Sequence, residues 1–200
     1  MRKIILMLII LSLASPLLAI SGDEAVARFR AKMNGTEKLA GTISWTTASG
    51  AIFSGSFRYM RPGKIFVRFS SPANRTIVSN GKRLWIHDSA SNICGIQELG
   101  ANHSGGIAGM IQGYTATASG GDGGYIIRLR APNASRAYQE IVLNVDSSFM
   151  LRRAALRRAN GETTTFTLNL LESTGSVSVG TFNFSVPSNA QVIMNPLDIR

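Results

Sequence analysis

Between Phe53 and Asp88, large apolar residues alternate with polar ones in short runs separated by turn residues, and the period is two. Phe53, Gly55, Phe57, Tyr59 and Arg61 share one parity. A strand sends every second side chain to the same face, so these residues predict an aromatic face with Arg61 in line at its end. Pro62-Gly63 breaks the ladder, since proline removes a donor and presets φ while glycine supplies the permissive turn position. The return strand, residues 64–70, carries Ile65, Val67 and Phe69 on one face and Phe66 with Arg68 on the other. Ser71-Pro72-Ala73-Asn74 turns the chain, a short strand covers 76–79, Asn80-Gly81 marks a two-residue hairpin, and Leu84-Trp85-Ile86 begins the next strand.

The rest of the chain extends this pattern in both directions. Ser21-Gly22-Asp23-Glu24 has the spacing of a capping box, and Val26, Phe29 and Met33 then fall on one face of a helix over 23–33, which Asn34-Gly35 is expected to end by a left-handed glycine. Residues 39–47 alternate around Ile43 and Trp45, and Ile93, Cys94 and Ile96 predict a less regular strand. In a glycine-rich stretch, Ile107, Met110, Ile111 and Tyr114 recur at helical spacing; each interior glycine weakens such a helix by roughly 1 kcal/mol relative to alanine. Residues 119–124 read as a flexible turn without the Gly-Lys-Ser/Thr ending of a phosphate loop. Strands are predicted at 125–130, 140–145, 163–170 and 181–186. The run from Leu151 to Arg158, with four arginines, has helical propensity and the charge of a nucleic-acid or membrane-binding helix, but turn residues on both sides make it a basic outer strand with a solvated surface.

Composition narrows the function. With 200 residues of which 44% are hydrophobic, the chain has the core of one domain. Arg2-Lys3, an apolar run and a small-residue region lay out a secretory signal peptide over residues 1–21, cleaved after Ala19 or after Ser21, with one domain over 22–200. Loss of Arg2 and Lys3 lowers the net charge of +10 by two and leaves a basic protein, which suits anionic headgroups or an acidic protein partner better than nucleic acid after export. The single cysteine, Cys94, lies far from the leader, so no lipid anchor and no internal disulfide are expected; it reads as a buried structural thiol. His87 and His103 sit in no metal or triad motif, and no catalytic residue, metal or other cofactor is predicted. The chemistry that remains is binding.

The run Arg61-Pro62, the apolar strand after it, the proline-containing turn and Ile77-Val78-Ser79-Asn80-Gly81-Lys82-Arg83-Leu84-Trp85 together resemble the periplasmic outer-membrane lipoprotein carrier family (LolA-type). The N-terminal helix, the closing Phe182-Asn183-Phe184-Ser185-Val186-Pro187 and Val192-Ile193 extend the likeness along the chain. The resemblance implies a mainly β, α+β fold: a curved, incompletely closed antiparallel β-barrel whose short helices form a lid over an apolar cavity. Strand parity assigns Trp45, Phe53, Phe57, Tyr59, Ile65, Val67, Phe69 and Trp85 to the apolar interior, with Leu84 and Ile86 competing with Trp85 for the inward side. The resemblance makes that interior an acyl cavity and makes Val26, Phe29, Met33, Ile107, Met110 and Ile111 its lid. It also gives Arg61 the role of holding the lid shut through helix backbone groups. It further implies a monomeric periplasmic carrier, not an enzyme, that takes acylated lipoproteins from an inner-membrane lipoprotein-releasing transporter to the outer membrane. An outer-membrane acceptor is left open. The alternatives are a module of the same fold that senses lipid or lipoprotein without delivering it, and a secreted hydrolase whose site follows no known motif.

Overall fold

The computed structural model describes residues 20–100, 106–121, 123–172 and 177–196; most of the leader and His103 lie outside them. Helix α1 spans Gly22–Gly35. Strands β1 (Lys38–Thr46), β2 (Ile52–Met60), β3 (Lys64–Ser71), β4 (Arg75–Asn80), β5 (Arg83–Asp88) and β6 (Ile93–Glu98) follow as a meander. The short helix α2 (Gly106–Met110) separates them from β7 (Thr115–Gly121), β8 (Gly124–Arg130), β9 (Glu140–Asp146), β10 (Leu151–Arg157) and β11 (Thr163–Glu172). A 3-10 turn at Val179–Phe182 and a short strand β12 (Gln191–Met194) complete the described elements.

All strands join one 12-stranded sheet in the order β12-β6-β5-β4-β3-β2-β1-β11-β10-β9-β8-β7. Only β12 runs parallel to its neighbour, β6. The sheet does not close, and β12 and β7 are its edges. The basic run is a strand over 151–157, β10, but not an outer one: it lies between β9 and β11 and buries Leu151, Ala154 and Leu156, which is why those apolar residues interrupt the arginines.

Directly opposed residues of a ladder project to one face, so the register sorts the side chains. Trp45 faces Phe53 on one side and Phe166 on the other, and Phe57, Val67 and Ile77 form one row. Phe166 in turn opposes Ala154, Ala154 opposes Leu143, Leu143 opposes Ile127 and Ile127 opposes Ala118. These rows make one continuous concave face. Over β7 and β8 it is covered by α1, whose Ala25 and Phe29 are buried among Ile111, Ile127, Leu129, Ile141 and Leu143. Each large side chain buried this way contributes about 1.5–3 kcal/mol.

The convex face is sealed elsewhere. Trp85, Val78 and Cys94 are buried there beneath Phe184, Val186 and Ala190, with Phe66 and Ile96 beside them. The segment 181–186 does this without being a strand: it is the end of the 3-10 turn followed by irregular chain. Its alternation of Phe182, Phe184 and Val186 reflects a ribbon lying on a sheet, with side chains turned down toward it, and not membership of the ladder.

Two further segments differ from the sequence pattern. Residues 119–121, read as a flexible turn, are the end of β7, paired with β8 through Ser119, Gly120 and Gly121. The helical spacing that reached Tyr114 yields a helix only to Met110, and the chain leaves it through Gly113 at φ +82. Helix α1 is capped as expected at its start, where the Ser21 hydroxyl accepts from the Glu24 N–H at 3.1 Å. The Glu24 carboxylate turns to Arg28 instead of back to the cap. The helix ends without a left-handed glycine: Thr36 is extended, its N–H donates to Met33 and its hydroxyl to the Lys32 carbonyl.

Candidate apolar binding site

The concave face of β1–β3 carries a second apolar cluster. Leu39, Ile43, Phe57, Val67 and Phe69 are buried, while Trp45, Phe53, Tyr59, Ile65 and Ile77 are only partly covered. At its centre the Trp45 ring stacks on Phe53 at 5.1 Å and on Phe166 at 6.0 Å, and Phe69 closes against Trp45 at 5.7 Å and against Phe53 at 5.6 Å. The Trp45 Nε1 is buried without an acceptor, and such a donor carries a cost of about 1–3 kcal/mol. Arg75 lies over the Phe53 ring at 4.6 Å and pairs with Asp88 at 3.0 Å. The hydrogen bond from Arg75 holds the Asp88 carboxyl below its ordinary pKa, helped by the N–H groups of Ala90 and Ser91 against the cost of burial. Burial pushes the Tyr59 phenol up, against a hydrogen bond from Gly63 and the Arg61 charge, so it stays a neutral part of the apolar face.

Of the residues assigned to the interior by parity, all but Trp85 share this concave face. Trp85 opposes Val78 and Ile96, and Val78 opposes Phe66, which puts it on the convex side against Phe184 at 6.2 Å. Ile86 takes the concave position, opposite Ile77. Strand β5 carries apolar residues on both faces, Leu84 and Ile86 on one and Trp85 on the other, and alternation then carries no sign. Parity alone would have added Phe166 and Leu168, which join the two concave clusters, and Ile77.

Val26, Phe29, Met33, Ile107, Met110 and Ile111 meet in one cluster between α1, α2 and β7–β10. They cover the half of the concave face away from the aromatic group. Tyr114 continues that cover: its hydroxyl donates to the Tyr138 carbonyl at 2.8 Å, the Arg136 guanidinium sits over its ring, and burial raises its pKa. The link between the two halves is Arg61. Its Nη1 donates to the Asn34 carbonyl at the end of α1 at 2.7 Å, its backbone N–H donates to Glu37, and its guanidinium lies 3.8 Å from the Glu37 carboxylate. The Arg61 side chain is 50% exposed. Its attraction to the helix end therefore comes from a charge meeting unpaired terminal carbonyls, and not from relief of a buried charge.

Two hollows lie elsewhere. One of about 330 Å³ lies beside Ser119, Tyr125, Asn144, Asp146 and Arg152, and one of about 360 Å³ beside Arg130, Glu140, Arg157 and Arg158. Neither touches the aromatic cluster, whose half-covered rings form a shallow open face.

The family described as outer membrane lipoprotein carrier protein LolA matches residues 40–185, from β1 to the ribbon over the convex face. The chain belongs to this family. Within the LolA family, an outer-membrane lipoprotein carrier protein of Methylibium petroleiphilum is 26% identical over 168 residues, covering 79% of this chain and 82% of its own length. One of Pseudomonas fluorescens is 23% identical over 206 residues, covering 96% and 99%. Among solved structures, an uncharacterized conserved protein of Thermus thermophilus superposes with a TM-score of 0.57 at 12% identity, covering 86% of this chain and 98% of that one, a likeness of fold. The Methylibium and Pseudomonas relatives are both outer-membrane lipoprotein carrier proteins.

Proposed function

We propose that this protein is a periplasmic carrier that holds the acyl chains of lipoproteins against the concave face of β1–β3 and takes them from the inner to the outer membrane. The observation that carries this reading is the half-covered group Trp45, Phe53 and Phe166, backed by buried Phe69 and continuous through Leu168 with the apolar surface under α1. A continuous apolar surface that is only partly covered is the kind of lining that ligand sites use.

The energetics suit transfer between bilayers. Each methylene removed from water is worth about 0.8 kcal/mol, so full burial of two or three long chains would gain more than the roughly 20 kcal/mol ceiling of noncovalent affinity, relative to water. The ligand leaves one bilayer and enters another, and a half-open aromatic face need only approach that apolar environment. In the described state the Arg61–Asn34 bond ties the end of α1 to the end of β2. Breaking it frees the helix to swing from the concave face, and re-forming it favours the empty, closed state. The inner-membrane lipoprotein-releasing transporter is the partner that loads such a carrier.

The test is mass spectrometry of lipid extracted from the purified protein, followed by transfer to acceptor vesicles. Acylated ligand that moves to the vesicles supports the reading. Ligand that stays bound indicates a sensing module of the same fold, and a protein that neither copurifies with nor takes up acylated ligand is no carrier.

A further inference from the structure

The convex side of the sheet ends, at β8–β10, in the hollow of about 360 Å³ bordered by Arg130, Gln139, Glu140, Arg157 and Arg158. Its backbone is satisfied internally: the Ala131 N–H donates to Gln139, the Gln139 N–H to Arg157 and the Arg158 N–H to Glu162. The Gln139 amide is committed to the Arg136 carbonyl at 3.0 Å. The polar groups left to meet a ligand are guanidiniums. Glu140 lies opposite both Arg130 and Arg157 in the ladders and comes within ion-pair distance of Arg157 alone, at 3.8 Å, and among the described residues no carboxylate forms an ion pair with Arg130 or Arg158. Three permanent cations thus border a hollow with one carboxylate. Guanidinium forks match pairs of phosphate oxygens, and arginine does not lose its charge when a ligand displaces water.

The strand ends that carry this hollow also carry the open aromatic group. Arg157 opposes Thr163 at the end of the β10–β11 ladder, and Trp45 opposes Phe166 close by on β11. Ile52, paired with Thr46 at the same end of β1 and β2, is 63% exposed. Arginines and an exposed isoleucine on one rim match a surface of anionic headgroups over hydrocarbon.

We propose that the hollow of Arg130, Arg157 and Arg158 binds the phosphate of an anionic phospholipid headgroup and so seats the open end of the sheet on a bilayer. The seating role rests on the carrier reading; headgroup binding does not, since the hollow shares no residue with the concave face.

Flotation with vesicles of phosphatidylcholine alone, and with phosphatidylglycerol added, is the experiment. The protein is compared with Arg130→Gln/Arg158→Gln and with a charge-matched control, Arg58→Gln/Lys82→Gln, at exposed positions outside the hollow. The expected result is binding to phosphatidylglycerol vesicles only, weakened about tenfold or more in the first variant, the loss of charge-assisted hydrogen bonds, and far less in the control. Equal losses in the two variants would reduce the effect to net charge and overturn the site. Equal binding to both vesicle types, or to neither, would overturn it too. Saturable binding of inorganic phosphate without vesicle binding would show a site for the free ion and overturn the headgroup assignment. Copurified acylated lipid, measured in the same variants, reports separately on the concave face and should be unchanged.

Discussion

The Asp146 carboxylate, at the turn between β9 and β10, accepts hydrogen bonds from the N–H and hydroxyl of Ser148, the N–H of Met150 and the guanidinium of Arg152. Burial alone would raise its pKa, and these donors outweigh burial and lower it. The turn they hold places Phe149 at φ 62, where a bulky side chain is rarely found, and stacks its ring on Tyr125 at 4.7 Å. A folded-state pKa below the unfolded value means stability that is present above about pH 4 and is lost as pH falls through the folded pKa. Urea unfolding between pH 3 and 6 should therefore show stability falling toward acid. Asp146→Asn should lower stability by about 1–2 kcal/mol at neutral pH and flatten part of that slope; a slope unchanged by the substitution would assign it to other groups, Asp88 first. At this scale the sequence was legible where one face of a strand is polar, as at Phe57, Tyr59 and Val67. It was ambiguous where both faces carry apolar residues, as at Trp85. Cys94 lies on the same convex side as Trp85, and burial pushes its thiol up. It should resist thiol reagents in the native protein, and Phe184→Ala should make it reactive; ready labelling of the parent would contradict the seal over that face.

Among the elements, α1 and β7 explain each other. A Cβ on Gly22 would lie 2.0 Å from the Ala116 carbonyl oxygen, so the first turn of the helix rests on the backbone of β7. The small residues of β7 suit that approach, and they are also what hid the strand: Thr-Ala-Thr-Ala-Ser-Gly-Gly has neither bulk nor branched apolar alternation. Gly22→Val should lift the start of α1 and speed amide exchange there; exchange identical to the parent would show that the contact is dispensable. At the other end of the helix, parity put Arg61 in line with the aromatic face, and its bond to the helix end was implied by the family resemblance and not by the pattern. Arg61→Leu is expected to leave the unfolding transition nearly unchanged and to load acylated ligand while releasing it to vesicles more slowly, because the closed, empty state loses its tie. A variant that loads and releases like the parent would falsify the gating role.

In the whole molecule, an open sheet of 12 strands presents one continuous apolar concave surface, closed by helices over one half and open over the other, while a C-terminal ribbon seals the convex side. The hairpins from β2 to β5 followed from turn residues and alternation, whereas the pairings of β1 with β11 and of β12 with β6, which set the strand order, did not. The ribbon did not, because a chain lying on a sheet alternates as a strand does and its ladder partners are settled only in three dimensions. The two halves have different tasks. The helix-covered half supplies the larger buried cluster, and the half around Trp45 is the face proposed to bind.

The protein has 2 tryptophans, and the sheet separates them: Trp45 on the concave face among Phe53, Phe69 and Phe166, and Trp85 on the convex face against Phe184. Single-tryptophan variants, Trp85→Phe and Trp45→Phe, allow each face to be read by itself with a lipopeptide whose acyl chains carry bromine. Strong quenching of Trp45 emission with Trp85 nearly unaffected is the expected result, since heavy-atom quenching needs contact. Quenching of Trp85 with Trp45 unaffected, or equal quenching of both, would contradict the placement of the acyl chains on the concave face.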